Sequence, residues 1–268
     1  MKVSLIQMDI KFAEPLYNYD HAAELIRRAA AGKQGKKPDV ILLPETWNTG
    51  FFPTDNLQEL SDHNGERTLK LIGTLAKEQG INIVAGSIAN KKNGKIYNTS
   101  YIFDRNGKNI TSYDKTHLFS PMGEDKHFSK GDNLVTFELD GVFCGIIICY
   151  DIRFVEMVRS LALKKIDVLF VVAQWPKKRI NHWQILNRAR AIENQIYVCC
   201  VNSCAHAGEV KFGGHSAIIS PWGEVLLEAG EDEQIICGDL DLSTVTGIRN
   251  NINVYIDRRP ELYSGVID

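Results

Sequence analysis

Gly141-Val-Phe-Cys-Gly-Ile-Ile-Ile-Cys149-Tyr-Asp-Ile-Arg-Phe154 changes character at its middle. Residues 142–148 form a short run of β-branched and other apolar residues, the mark of a strand buried on both faces. Residues 150–153 are polar. From Phe154 to Lys165 apolar residues recur at helical spacing, with Phe154, Met157, Val158, Leu161 and Ala162 on one face. Cys149 therefore falls where a core strand gives way to a helix. A thiol there lies beside unpaired helix N–H groups, which are expected to lower its pKa and can hold a developing oxyanion. Taken alone, it is equally a small buried hydrophobe that fills space. Its chemistry turns on partners elsewhere.

Outward from this segment, residues 2–7, 39–43, 81–88, 98–103, 167–173, 196–201, 216–219 and 225–227 read as strands. Residues 18–31, 65–79 and 182–194 read as helices, the last unusually rich in polar groups. Asn93-Gly94 and Asn106-Gly107 are hairpin turns, residues 32–38 a basic turn and residues 254–263 a charged tail. Alternating strands and helices with inserted hairpins imply α/β layers around a largely buried mixed sheet. No linker or internal repeat breaks the chain, so residues 1–268 read as a single domain.

Composition narrows the function. Hydrophobic residues make up 44% of the chain, ample for a sizeable core, and a net charge of −2 gives no electrostatic case for nucleic acid or an anionic membrane. No apolar run reaches the roughly 20 residues a spanning helix needs, and Asp9 interrupts the first one too early for a secretory signal. The six cysteines, at 144, 149, 199, 200, 204 and 237, then read as free thiols in a reducing cytoplasm. A zinc site built from Cys199, Cys200, Cys204 and His206 is not expected. Adjacent strand residues point to opposite faces, and no second paired-cysteine motif exists.

Three polar residues stand at or just past the ends of apolar strands: Glu45, Lys115 and Cys149. Sites in open α/β sheets collect at the C-terminal edges of strands, where distant residues can converge. Each alone has a bland reading, as a solvated glutamate, a surface lysine or a space-filling thiol. Together they form a chemical unit, because a thiol needs activation that a carboxylate base and an ammonium can supply.

These residues sit in three motifs: LLPETWNTGFF (42–52), YDKTHLF (113–119) and ICYDIRF (148–154). In this order they resemble the glutamate, lysine and cysteine motifs of the nitrilase superfamily of carbon–nitrogen hydrolases. HWQILNRARAIENQ (182–195), SPWGEV (220–225) and DRRPELY (257–263) extend the resemblance over nearly the whole chain. It implies a four-layer αββα sandwich and a Glu-Lys-Cys triad needing no metal or organic cofactor. Cys149 would be the nucleophile, Glu45 the general base and Lys115, with the backbone N–H of Tyr150, the oxyanion stabiliser. Glu124, seven residues before Gly131, matches a second glutamate of many members, with Asp125 as its rival. Two positions depart from the common pattern: Val155 replaces a frequent proline, and Gln174-Trp175-Pro176 replaces a version with Asn before Trp. The second could alter substrate choice.

The motif versions look most like small stand-alone ω-amidases, so the expected substrate is a small carboxylated amide such as α-ketoglutaramate or succinamate. Deaminated-glutathione amidases and carbamoyl hydrolases are close alternatives. Trp175 would wall a narrow slot and Arg179 would grip a distal carboxylate. Lys177 and Lys178 read as solvated, and Arg153 as part of a structural ion pair. The resemblance also implies a homodimer paired through the helix after Cys149 and the helix at 182–194. Two rival readings are a Cys-His enzyme using His117, His182 or His215, and a non-catalytic binding scaffold.

Overall fold

The computed structural model describes residues 1–32, 36–204 and 206–263; positions 33–35 of the expected basic turn lie outside them. The strands are β1 (Lys2–Gln7), β2 (Val40–Leu42), β3 (Asp62–His63), β4 (Asn82–Val84), β5 (Ile88–Lys92), β6 (Lys95–Phe103), β7 (Asn109–Asp114), β8 (Thr136–Leu139), β9 (Val142–Ile148), β10 (Val168–Ala173), β11 (Tyr197–Asn202), β12 (His206–Ala207), β13 (Val210–Lys211), β14 (Ala217–Ile219), β15 (Val225–Glu228) and β16 (Gln234–Asp239). The α-helices are α1 (Pro15–Ala31), α2 (Leu57–Leu60), α3 (Glu66–Gln79), α4 (Val155–Leu163), α5 (Ile180–Asn194) and α6 (Ser243–Asn251).

Among the described residues the strands make two large sheets and the small β12–β13 ribbon. The first sheet runs β16-β1-β2-β4-β6-β5-β3, with β7 also paired to β6. The second runs β15-β14-β11-β10-β9-β8. Each contains a parallel trio, β1-β2-β4 in one and β9-β10-β11 in the other. In each trio the strand ends, and the loops that follow them, gather along one edge.

Alternation along β2 shows how the layers stack. Val40 and Leu42 join the core shared with Ile146, Ile148 and Phe170 of the second sheet. Ile41 and Leu43 point the other way, into a cluster with Leu25 and Ile26 of α1 and Ile72 and Leu75 of α3. Across the second sheet, α4 and the turn after it pack so closely that a Cβ on Gly145 would lie 3.6 Å from Leu161 and 3.0 Å from Ile166. Trp183 and Ala191 of α5 are buried in the same core. The result is helix, sheet, sheet, helix: the four-layer αββα sandwich. Burying each large aliphatic side chain stabilises the fold by about 1.5–3 kcal/mol.

Several local outcomes differ from the sequence reading. The polar segment ahead of α4, whose form the sequence left open, is a 3₁₀ turn over Cys149–Arg153. β9 is not buried throughout, since Phe143 is half exposed. β8, β16 and α6 went unread because each is short or only partly buried, and such segments carry little periodic signal. The strand expected at 81–88 is broken into β4 and β5.

That break grips the loop carrying Glu45. Gly86 takes φ +58°, turning the chain so that Ser87 N–H donates to the Pro44 carbonyl at 3.0 Å. Thr46 N–H donates to Ser87 Oγ at 3.0 Å, and the Trp47 indole N–H to the Ala85 carbonyl at 2.7 Å. A Cβ at Gly86 would fall 2.0 Å from the Pro44 oxygen. Gly86→Ala should therefore cost roughly 2–4 kcal/mol of stability. Urea unfolding checks this, and a midpoint equal to wild type would contradict the close approach.

Candidate active site

Glu45 follows β2, and its carboxylate is wholly buried. Oε1 accepts from Lys115 Nζ at 2.8 Å and Asn98 Nδ2 at 2.9 Å, while Oε2 accepts the Gln174 backbone N–H at 2.8 Å. The Gln174 side chain returns to the Glu45 carbonyl at 2.9 Å and to Thr46 Oγ1 at 2.6 Å. Gln174 directly follows β10, so these bonds join the edges of the two sheets.

Lys115 directly follows β7. Its backbone N–H donates to the Asn98 carbonyl at 2.9 Å, continuing the pairing with β6. The ammonium has no exposure and reaches Glu45 Oε1 at 2.8 Å and both Glu124 oxygens at 2.9 Å. Glu124 Oε2 also accepts the Phe119 backbone N–H at 2.6 Å, and Oε1 is 3.4 Å from Asn98 Nδ2. Asp125, the rival position, is exposed.

Cys149 closes β9 with φ +48°, a left-handed conformation that costs a non-glycine residue about 1–2 kcal/mol. Asp151 holds this turn. Its buried carboxylate accepts Tyr113 Oη at 2.6 Å, Thr116 Oγ1 at 3.1 Å, His117 N–H at 3.0 Å and Ile148 N–H at 2.9 Å. It also lies 2.9 Å from His117 Nδ1. One side chain thus fastens the turn at Cys149 to the segment flanking Lys115.

The electrostatics reverse one expectation. The thiol of Cys149 is not lowered toward neutrality by helix N–H groups; it is pushed well above the ordinary thiol range. Burial is the largest cause, the charge of Glu45 adds to it, and Lys115 opposes it only in part. Burial pulls Lys115 down, but the charges of Glu124, Glu45 and Cys149 overcome it and hold the ammonium well above its usual value. Glu124 is raised, by burial first; Lys115 opposes and the nearby Glu45 adds to the rise. The resting arrangement is a neutral thiol near the Glu45 carboxylate and a firmly protonated lysine.

Cys149 opens onto a slot walled by Phe51, Phe119, Tyr150 and Trp175, with Arg153 and Arg179 also lining it. The Trp175 indole N–H donates to the Arg179 carbonyl at 2.8 Å. The Arg179 guanidinium lies over Phe119 at 5.3 Å, and that of Arg153 over Trp175 at 4.9 Å. Among the described residues, arginine–carboxylate pairs involve Arg28, Arg105, Arg190, Arg249 and Arg259. The ion pair expected for Arg153 is therefore absent there; its neighbours are Trp175 and, at 3.3 Å, His182 Nδ1. Lys177 does pair outward, with Glu231. His117 and His215 are bonded to Asp151 and Glu228 respectively.

Asn98, Asp151, Phe51 and Phe119 were not singled out from sequence. Asn98 had one usable signal, since Asn98-Thr99-Ser100 places three buried polar residues inside a strand. Asp151 lies inside the cysteine motif, but its contacts at 113–117 are tertiary.

The profile of one family, carbon-nitrogen hydrolase, matches residues 2–250. The chain is 42% identical to 2-oxoglutaramate amidase of Bacillus subtilis, over 97% of this chain and 98% of that one. It is 34% identical to omega-amidase NIT2 of Homo sapiens, over 98% and 96%. Among solved structures it resembles Nit3 of Saccharomyces cerevisiae, a member of branch 10 of the nitrilase superfamily, with a TM-score of 0.87, 29% identity and 95% of each chain covered.

A raised thiol pKa has a definite consequence. Iodoacetamide alkylation of Cys149, followed by peptide mass spectrometry, should accelerate through pH 9 without levelling. An ordinary thiol would turn over near its pKa of about 8.5. A plateau below pH 8 would show a stabilised thiolate and contradict the burial argument. The same sign makes the fold lose stability above about pH 8.5, because the unfolded chain then holds fewer protons there than the native one.

Proposed function

The chain belongs to the carbon-nitrogen hydrolases of the nitrilase superfamily, and from that premise we propose that it hydrolyses the terminal amide of a short dicarboxylic acid through a thioester on Cys149. 2-Oxoglutaramate and succinamate are the substrates of choice. The observation that carries this reading is the pairing of two groups around one slot. At one end stands Cys149 with its buried charges; the walls carry Arg153 and Arg179, neither of them in the ion pairs above. A slim apolar chain with a reactive amide at one end and a carboxylate at the other fits that arrangement. Similarity to 2-oxoglutaramate amidase supports it independently.

In the mechanism, Glu45 takes the thiol proton as Cys149 attacks the amide carbonyl. The Lys115 ammonium and the Tyr150 backbone N–H hold the oxyanion. Glu45 returns the proton to departing ammonia, then accepts one from the water that opens the thioester. Amide plus water becomes carboxylic acid plus ammonia. Glu124 keeps Lys115 charged and in place through its two 2.9 Å contacts. Trp175 shapes the slot, and Arg179 reads the distal carboxylate.

The finer organisation follows the same reading. Residues 1–268 are taken as one catalytic domain, supported by β16 pairing with β1 so that late and early segments share a sheet. A cytoplasmic setting is supported by the free thiols of Cys144, Cys149, Cys199, Cys200 and Cys204; no helix among the described residues is long and apolar enough to cross a membrane. A homodimer is supported by apolar side chains left exposed on α4 and α5, namely Val155, Leu163, Ile185 and Ile192. Light scattering at micromolar concentration should give a dimeric mass, and a monomer would refute this pairing.

Arg179→Ala should raise KM for succinamate by about ten- to a hundredfold, the worth of a charge-assisted hydrogen bond. KM for a neutral amide of similar length should change little. Equal losses on both substrates would remove Arg179 from carboxylate recognition.

A further inference from the structure

Asn98 has no part in the mechanism above, yet it touches both carboxylates beside Lys115 and the main chain of Lys115 itself. We infer that Asn98 is a positioning residue whose amide holds Glu45 and Glu124 at their working separation on either side of Lys115. The inference rests on the reading of Glu45 as base and Lys115 as oxyanion stabiliser.

The geometry carries it in three steps. The main chain of Asn98 is pinned from both sides: it pairs with Ala89 of β5, and its carbonyl accepts the Lys115 N–H at 2.9 Å. From that fixed base its Nδ2 donates to Glu45 Oε1 at 2.9 Å and faces Glu124 Oε1 at 3.4 Å. The Lys115 ammonium bonds to the same two oxygens. One cation and one neutral amide thus bridge two buried carboxylates that would otherwise repel each other. The amide orientation is set by chemistry, since a flipped Asn98 would aim its own oxygen at both carboxylates.

Asn98 is only 1% exposed, and its Oδ1 has no hydrogen-bond partner among the described residues. Asn98 is not among the residues lining the slot, and its side chain reaches the two carboxylates instead. Its effect must pass through Glu45, Glu124 and Lys115.

Asn98→Ala removes the donors and leaves the strand pairing, while Asn98→Leu refills the space without a donor. Both should lower kcat by about ten- to a hundredfold with KM for succinamate within about threefold of wild type. Iodoacetamide alkylation of Cys149, which needs no substrate, should slow in both. Asn194→Ala, which removes a buried amide far from the site, should lower the melting temperature and leave kcat unchanged. The inference is overturned if Asn98→Leu restores the rate that Asn98→Ala loses, if KM rises in step with the fall in kcat, or if both variants turn over like wild type. Glu45→Gln separates this from the underlying reading: its retention of activity would overturn the role of Glu45 itself. An inactive Glu45→Gln beside a fully active Asn98→Ala would overturn only the role of Asn98.

Discussion

Two carboxylates and a thiol share one ammonium in a space closed to bulk water, and the rest of the structure answers to that arrangement. Removing ionic groups from water costs several kcal/mol each, and mutual attraction compensates only when every remaining lone pair and proton is engaged. Lys115 engages Glu45 and Glu124, Asn98 bridges the same pair, and backbone N–H groups of Gln174 and Phe119 complete the carboxylates. The raised thiol follows from the same crowding, because a third negative charge in that space is the least tolerated. The site therefore rests with its thiol protonated, and in the proposed mechanism it becomes a nucleophile as Glu45 accepts the proton.

Holding such a cluster requires rigid elements from both sheets. Glu45 is fixed by the broken β4–β5 strand on one side and by Gln174 after β10 on the other. Lys115 hangs from the β6–β7 hairpin, and Cys149 ends β9 in a strained turn. Asp151 ties those last two together through its contacts with residues 113–117 and Ile148. The strain at Cys149 persists because the strand residues beside it, Ile146, Ile147, Ile148, Val171 and Val172, are wholly buried and cannot relax around it.

What the sequence revealed and what it hid divide along a physical line. Apolar runs and helical spacing exposed the main layers, because burial imposes period on the chain. Polar residues at strand ends marked Glu45, Lys115 and Cys149 as candidates, and motif resemblance assigned them to a family. The lowered thiol pKa was wrong because it weighed only the helix beside Cys149, whereas burial and Glu45 are tertiary effects and larger. Asn98 and Asp151 were hidden for the same reason: Ile148 apart, their side-chain partners lie 26 to 53 residues away, and those contacts leave no local pattern. The expected ion pair of Arg153 failed because a position inside a motif does not reveal which way a long side chain turns.

The central claim is that Cys149 carries the acyl group of the substrate between two half-reactions. Acid quenching during turnover of succinamate, followed by digestion and mass spectrometry, tests it most directly. The account predicts one succinyl group on the peptide containing Cys149, lost within a turnover when substrate is exhausted and captured as hydroxamate by added hydroxylamine. Turnover without an adduct at any quench time, or an adduct on another residue, would contradict it.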